Sequence, residues 1–422
     1  MIGRFRRLLS AQRALSLGAS ELADLQTFKL RRTIKRAYES VPYYRSILDA
    51  ASVKPSDIRT ANDLRLIPIT TKENLLRADP AELVACDLSA ESLFESRTSG
   101  SSGQAFTVRR SLADVQTRKA LDLRSLIAVG LRPTDKVATY TVRKPGSGRQ
   151  PQKLFYRSKW ISAIAPAEES AALLSRYDPD WLWCYPSSFR ALLDHTDGRL
   201  HEICRPRGVV TAAERPDNHV QEACKSAGIQ HFNFYGAVET GRIAWECRSH
   251  KGLHLNIDNI VLELLPMAVG GDGELDGLGE TIVTTLNNDA MPFIRYRLGD
   301  LCRILDEPCP CGVALPLIAP PVGRTSDLVK LPSGRLLSAR GLSALIRAQT
   351  GVREFLITQA KIDRLDVELI VDSTFDQEAG NAISASIDQY LEREMTVQVH
   401  RVDSIHRPGP KPKDFVSRVS SI

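Results

Sequence analysis

The sequence predicts an α/β protein with a large N-terminal part and a small α/β unit at its C-terminal end. Three observations lead there. The middle of the chain alternates short β-rich runs with helical stretches, a rhythm of α/β folds rather than of sandwiches or bundles. The last hundred residues change to a single β-α-β pattern behind a Gly-containing junction near Gly323 to Gly334. And 422 residues exceed one ordinary core, at roughly 150 residues per domain.

Taken in order, Leu25, Phe28, Ile34 and Ala37 recur at helix-like intervals until Val41-Pro42-Tyr43-Tyr44 stops the run. Val137 to Val142, Gly208 to Thr211, His231 to Tyr235 and Thr281 to Leu286 read as strands, with a helix over Pro216 to Ala227. In the last part, Leu365, Val367, Leu369 and Val371 alternate with Asp366 and Glu368, the mark of a half-buried strand. Ala379, Ile383, Ile387 and Leu391 stack at four-residue spacing as a helix, and Val397 and Val399 begin another strand. This unit is set off from the rest by the junction near Gly323 to Gly334. The tail Arg407-Pro-Gly-Pro-Lys-Pro-Lys413 reads as a stiff exposed loop that presents its two lysines.

Composition narrows the classes. With 43% hydrophobic and 25% charged residues the chain is folded and water-soluble in type. Fifty-six Lys and Arg against 50 Asp and Glu give +6, and the basic residues are dispersed among acids, so nucleic acid is not an expected partner. Arg4 to Arg13 reads as the solvated face of a helix. No stretch approaches ~18 uninterrupted apolar residues, so membrane insertion is not expected. Without an apolar signal region, a cytoplasmic location is expected. Most of the eight cysteines stand alone, and in a reducing compartment a clustered pair raises a metal question.

Four stretches can carry chemistry. In Arg97-Thr98-Ser99-Gly100-Ser101-Ser102-Gly103-Gln104 the glycines let backbone N–H groups approach phosphate oxygens, and the hydroxyls add donors. It lacks the ending of a Walker loop, and a plain flexible linker has the same composition. Phe234-Tyr235-Gly236-Ala237-Val238-Glu239 offers a ring that can stack on a nucleobase and a carboxylate that can hold Mg²⁺. Arg295-Tyr296-Arg297-Leu298-Gly299-Asp300 places a carboxylate at a Gly turn, where it can accept both hydroxyls of a ribose. Gly323-Arg324-Thr325-Ser326-Asp327 lies at the expected junction.

The order of these motifs resembles that of the adenylate-forming superfamily of acyl-CoA synthetases, adenylation domains and luciferases. Val41-Pro42-Tyr43-Tyr44-Arg45, Ile67 to Lys72, Tyr185-Pro186-Ser187-Ser188 and Ile243 to His254 further resemble its phenylacetate–CoA ligase branch, which includes relatives of capsule-biosynthesis type. The resemblance covers nearly the whole chain. It implies a large adenylate-forming domain over residues 1–325 and a small mobile C-terminal lid over 326–422. It also implies that Thr98 to Gly103 cradle the outer phosphates of ATP, Tyr235 stacks on the adenine with Gly236 beside it, Glu239 binds Mg²⁺, Asp300 holds the ribose hydroxyls and Arg324 lies near the ribose and α-phosphate. Ser326 and Asp327 would form the hinge, and Lys413, with Lys411 close behind, would be the catalytic lysine. Departures are Val238 in place of a hydroxyl residue, and Ala212-Ala213-Glu214 in place of Ser-Gly-Glu along the adenine.

The cysteines give a separate clue. Cys309-Pro310-Cys311-Gly312 is a C-x-C pair in a turn, and Cys247 and His254 stand upstream. Together they can form a closed Cys₃His site suited to structural Zn²⁺, with His250 a competing imidazole and a free-thiol turn the alternative. The resemblance to the phenylacetate–CoA ligase branch implies the same Cys, His and C-x-C arrangement. For the acid pocket, Trp181, Trp183, Tyr185, Phe234, Ala237 and Trp245 are candidates, each equally at home in a core. An aryl or arylacetic acid is the expectation.

The implied activity is ATP- and Mg²⁺-dependent conversion of a carboxylic acid to acyl-AMP, then transfer to coenzyme A. A carrier protein or an amine as acceptor is the nearest rival, and a nucleotide-binding regulator without turnover the rival of another class. A homodimer stays open.

Overall fold

The computed structural model describes residues 2–98, 105–142, 156–214, 218–267, 277–407 and 414–419. Its centre is a nine-stranded sheet in the order Ile304–Leu305, Leu317–Ile318, Leu253–Leu255, Gly241–Glu246, Gln230–Ala237, Gly208–Ala212, Trp181–Cys184, Lys136–Thr141 and Arg157–Ser162. The five strands from Gln230–Ala237 to Arg157–Ser162 run parallel, and the remaining pairs are antiparallel. Parallel strands need crossovers, and the helices Ala167–Tyr177, Pro186–His195 and Asn218–Ser226 supply the three that lead from Arg157–Ser162 to Gln230–Ala237. Their interior strands are buried on both faces, which is why Val209 and Val210 are both fully inaccessible.

The N-terminal helix Ala19–Ser40 buries Leu22, Leu30, Ile34 and Ala37, as the periodicity requires. Phe28 departs from the expected stripe and is 65% exposed. Pro42 does end that helix, and it also opens the next one, Pro42–Ala50, from the first position, where its missing N–H costs nothing. The helix Leu112–Val129 carries Arg124, which is fully buried. Its guanidinium donates to Asp258 at 2.8 and 3.0 Å, to Asn256 at 2.6 Å and to the Ala11 carbonyl at 3.1 Å. One side chain thereby ties the first helix to the turn after the central sheet. A separate antiparallel sheet is formed by Ile260–Pro266, Gly279–Thr285 and Tyr296–Cys302.

Near the C-terminus, Thr396–Arg401, Arg364–Val371, Val352–Lys361 and Phe415–Ser417 form a four-stranded sheet in that order. The strand Arg364–Val371, helix Gln377–Tyr390 and strand Thr396–Arg401 are the expected β-α-β unit, its strands parallel. One hydrophobic cluster draws its buried members only from Val329 to Phe415. No helix among the described residues is long and apolar enough to cross a membrane.

Candidate active site and a cysteine–histidine cluster

The strand Gln230–Ala237 brings Asn233, Phe234, Tyr235 and Gly236 to the edge of a cavity of about 440 Å³. A β-carbon on Gly236 would lie 2.3 Å from the Gly241 carbonyl oxygen, so the close approach of this hairpin requires glycine. Tyr235 donates its phenol proton to Asp300 at 2.7 Å. Arg324 reaches the other oxygen of Asp300 at 3.1 Å, across a backbone bridge between the same two residues. Burial raises the Asp300 carboxyl above its ordinary value, while Arg324 and Tyr235 pull it back. Burial and the Asp300 charge push the Tyr235 phenol far up, so it remains a donor.

Ala213, Glu214, Tyr235, Gly236, Asp300 and Arg324, expected from sequence to surround a nucleotide, all line this one cavity. Ala213 takes φ +70°, a left-handed conformation that suits the glycine of the more usual pattern. Glu214 accepts from the Ser187 backbone N–H at 3.1 Å, which gives Tyr185-Pro186-Ser187-Ser188 a physical purpose at the start of its helix. Ser326 donates to Asp327 at 3.1 Å within the short turn Thr325–Asp327, and Asp327 also lines the cavity. From beyond that turn come Ser338, Arg340 and Asp414.

Glu239 occupies the turn after Ala237 and is nearly buried; Tyr296 donates to its Oε1 at 3.2 Å. Thr98 exchanges bonds with Phe106 at the end of the hairpin Phe94–Arg97 and Thr107–Arg110. Ser99, Gly100, Ser101, Ser102 and Gly103 lie outside the described residues, as do Lys411 and Lys413. The residue after Lys413, Asp414, is described, and accepts from Arg347 at 2.5 Å.

Sequence reasoning left several residues without a role. Asn233 lines the cavity beside Tyr235. Thr70 docks on the start of the Tyr296 strand through bonds of 2.9 and 2.8 Å, and two residues later Lys72 lies within electrostatic reach of Glu239, Glu73 and Arg324. Burial lowers the Lys72 pKa, and Glu239 opposes that fall. The signal was present in the stretch Ile67 to Lys72, but the distance to Glu239 along the chain hid its partner.

The acid-pocket candidates scatter. Phe234 lines the cavity, and Arg242 stacks 4.4 Å from its ring centroid. Trp245 is buried against His254, ring centroids 4.9 Å apart, and donates to Asn256 at 3.1 Å. Trp181 packs on Phe232, and Ala237 pairs with Gly241. Tyr185, Ala237 and Trp245 are not among the residues lining the cavity, so the structure does not gather the four pocket candidates there.

Cys247, His254, Cys309 and Cys311 do come together: their ligand atoms all lie within 4.8 Å of one another. The Cys247 and Cys309 sulfurs are 3.5 Å apart, and the Cys311 sulfur is 3.2 Å from His254 Nε2. With metal–sulfur bonds of about 2.3 Å, the edges of a tetrahedral site would be roughly 3.6 to 3.8 Å, close to these separations. The Leu315 carbonyl lies 3.4 Å from His254 Nδ1, leaving Nε2 to face the sulfurs. His250 is the wrong imidazole, since its Nδ1 pairs with Glu246 at 3.0 Å and its ring stacks on Phe232. All eight cysteines are free thiols.

No protein-family model matches the chain. It is 31% identical over 307 residues to the phenylacetate-coenzyme A ligase of Escherichia coli K12, covering 68% of each protein. It is 26% identical over 416 residues to the phenylacetate-coenzyme A ligase of Thermus thermophilus, covering 95% of this chain and 92% of the relative. Among solved structures, 2-hydroxyisobutyryl-CoA ligase with 2-HIB-AMP in the postadenylation state superposes with a TM-score of 0.71 at 18% identity, covering 96% of this chain and 91% of that one. The same enzyme with 2-HIB-AMP and CoA in an open conformation gives 0.68. These structures establish the two-domain adenylate-forming fold. The sequence relationships establish the rest: the chain belongs to the phenylacetate–CoA ligase family of the adenylate-forming superfamily.

Proposed function

We propose that the chain is an AMP-forming acid–CoA ligase: it converts a carboxylic acid and ATP to acyl-AMP and pyrophosphate, then transfers the acyl group to coenzyme A. The observation that carries this reading is the meeting of Ala213–Glu214, Tyr235, Asp300 and Arg324 in one cavity, from four separate stretches of sequence. The names of the relatives point the same way.

In this reading Tyr235 and Gly236 border the adenine, and Asp300, oriented by the Tyr235 phenol and Arg324, accepts from the ribose. Arg324 stands where charge grows on the α-phosphate as the acid's carboxylate attacks. Thr98 to Gly103 hold the outer phosphates. Mg²⁺, held by Glu239, would neutralise charge on the triphosphate. Tyr296 keeps the Glu239 carboxylate aimed. The acid is aryl or arylacetic by kinship with the relatives. Residues 1–325 form the large domain and 326–422 the lid. The lid turns about Ser326 and Asp327, withdrawing Lys413 after the first step and admitting the thiol. Zn²⁺ bound by Cys247, His254, Cys309 and Cys311 is structural, since four protein donors leave no place for water. A soluble, cytoplasmic protein suits these substrates.

The test follows both steps. Purified protein with ATP, an accepted acid and CoA should yield AMP and acyl-CoA in equal amounts. If a preformed acyl-AMP is consumed by an amine or a carrier protein while CoA leaves it untouched, the ligase reading fails and the rival acceptor replaces it.

A further inference from the structure

The turn bearing Glu239 is held by side chains outside every motif of the sequence. Val238 to Thr240 join the strands Gln230–Ala237 and Gly241–Glu246. The two carbonyls flanking the Glu239 α-carbon are those of Val238 and of Glu239 itself. Arg110 donates from Nη2 to both, to the Val238 carbonyl and, at 3.3 Å, to that of Glu239. Arg118 adds a donor to the Val238 carbonyl at 3.1 Å, and Asn288 adds one to the Glu239 carbonyl at 2.9 Å. Because each peptide is planar, pinning the carbonyls on both sides fixes φ and ψ of Glu239 and hence the direction of its Cα–Cβ bond, from which Tyr296 holds the carboxylate. Among the described residues Arg110 is the side chain that reaches both.

Arg110 occupies an expensive position for packing alone. It is 3% exposed, and no ion pair to a carboxylate is formed by it among the described residues. Burial, reinforced by the like charge of Arg118, lowers its pKa, and the more distant carboxylates of Asp114, Glu239 and Asp122 only partly offset this. The bonds it makes are what offset that cost, since an apolar side chain would fill the volume more cheaply. Its backbone supplies the second half of the connection. Arg110 ends the return strand Thr107–Arg110, paired with Phe94–Arg97 in the hairpin whose far end holds Thr98.

We infer that Arg110 is a positioning residue that locks the Glu239 turn to the Thr98 hairpin and so aims the Glu239 carboxylate. The inference rests on the proposed role of Glu239 in holding Mg²⁺ for ATP. Outer residues that orient a metal carboxylate characteristically change metal affinity by about 10-fold or more when removed.

The experiment uses Arg110→Met, Arg110→Lys and Asn288→Ala, the last removing only the second donor to the Glu239 carbonyl. Acid-dependent ATP–pyrophosphate exchange is measured against Mg²⁺ concentration, and Mn²⁺ binding in the presence of ATP is followed by electron paramagnetic resonance. R110M should raise the Mg²⁺ concentration for half-maximal exchange about 10-fold and weaken Mn²⁺ by a similar factor. KM for the acid should stay unchanged. R110K should recover part of the loss, and N288A should show the same signature at smaller size. Folded R110M and N288A proteins with wild-type Mg²⁺ and Mn²⁺ dependence overturn the inference, as does a lower melting temperature with no metal effect. Wild-type protein without exchange or Mn²⁺–ATP binding overturns the function proposal and this inference with it; normal wild-type behaviour with insensitive variants overturns this inference alone.

Discussion

Cys309→Ser gives the sharpest structural prediction. Cys309 is buried, its sulfur 3.5 Å from that of Cys247, in the segment between Ile304–Leu305 and Leu317–Ile318. Those two short strands form the edge of the nine-stranded sheet, pairing only with each other and with Leu253–Leu255. An edge of two-residue strands contributes few ladder bonds, so a bound ion would supply much of its attachment. If free zinc exceeds its dissociation constant by 1,000-fold, binding adds roughly 4 kcal/mol to the folded state. At about 2.1 cal/mol/K of unfolding entropy per residue, that corresponds to about 4 °C in melting temperature for a chain of this length. Elemental analysis should find one zinc per wild-type chain and none in C309S. Calorimetry should place C309S about 4 °C lower, with a chelator bringing wild type down to the same value. Cys86→Ser, at an exposed thiol outside the cluster, should change neither. Metal-free wild-type protein whose melting is indifferent to chelator would refute the reasoning.

Other perturbations follow from the same geometry. Tyr235→Phe removes the donor to Asp300 and should cost roughly 2 kcal/mol, the worth of a hydrogen bond to a buried charge. The Asp300 carboxyl is raised on folding, so its ionisation costs stability as pH climbs; the Y235F deficit should therefore grow as the pH rises above the unfolded value near 4, read in urea titrations. Arg124→Met leaves Asp258 buried without its partner and should destabilise by about 3–5 kcal/mol. Despite burial, Arg124 holds the Asp258 pKa below its ordinary value, so this contribution is present above the unfolded value near pH 4 and fades as the pH falls further. Ala213→Gly relieves φ +70° and should leave stability unchanged or raise it by about 1 kcal/mol, read from denaturant midpoints. Lys413→Ala should suppress adenylation strongly with ATP affinity near wild type; unchanged exchange would move the role to Lys411.

The alternation of Leu365 to Val371 and the four-residue spacing from Ala379 to Leu391 lead directly to the C-terminal β-α-β unit, because burial on one face imposes a period on sequence. The order of the parallel strands had no such local signature, since a buried strand is simply apolar on both sides. Within the site, Tyr235, Asp300 and Arg324 were legible because each sits in a short motif. Their mutual bonds were not, and neither was the expenditure of the Tyr235 hydroxyl on Asp300, which leaves only its ring for a base. Arg110, Lys72 and Asn288 act on Glu239 from far along the chain, and no spacing rule connects them. The choice of His254 over His250 was likewise decided only in space, by the Glu246 carboxylate that claims His250.

The proposed reaction is tested most directly by isotope exchange between pyrophosphate and ATP across a panel of carboxylic acids, with aryl and arylacetic acids at its centre. Exchange should appear only with an accepted acid and Mg²⁺, and should be lost in Asp300→Ala. A protein that binds ATP yet gives no exchange with any acid would contradict acid activation and leave a nucleotide-binding regulator in its place.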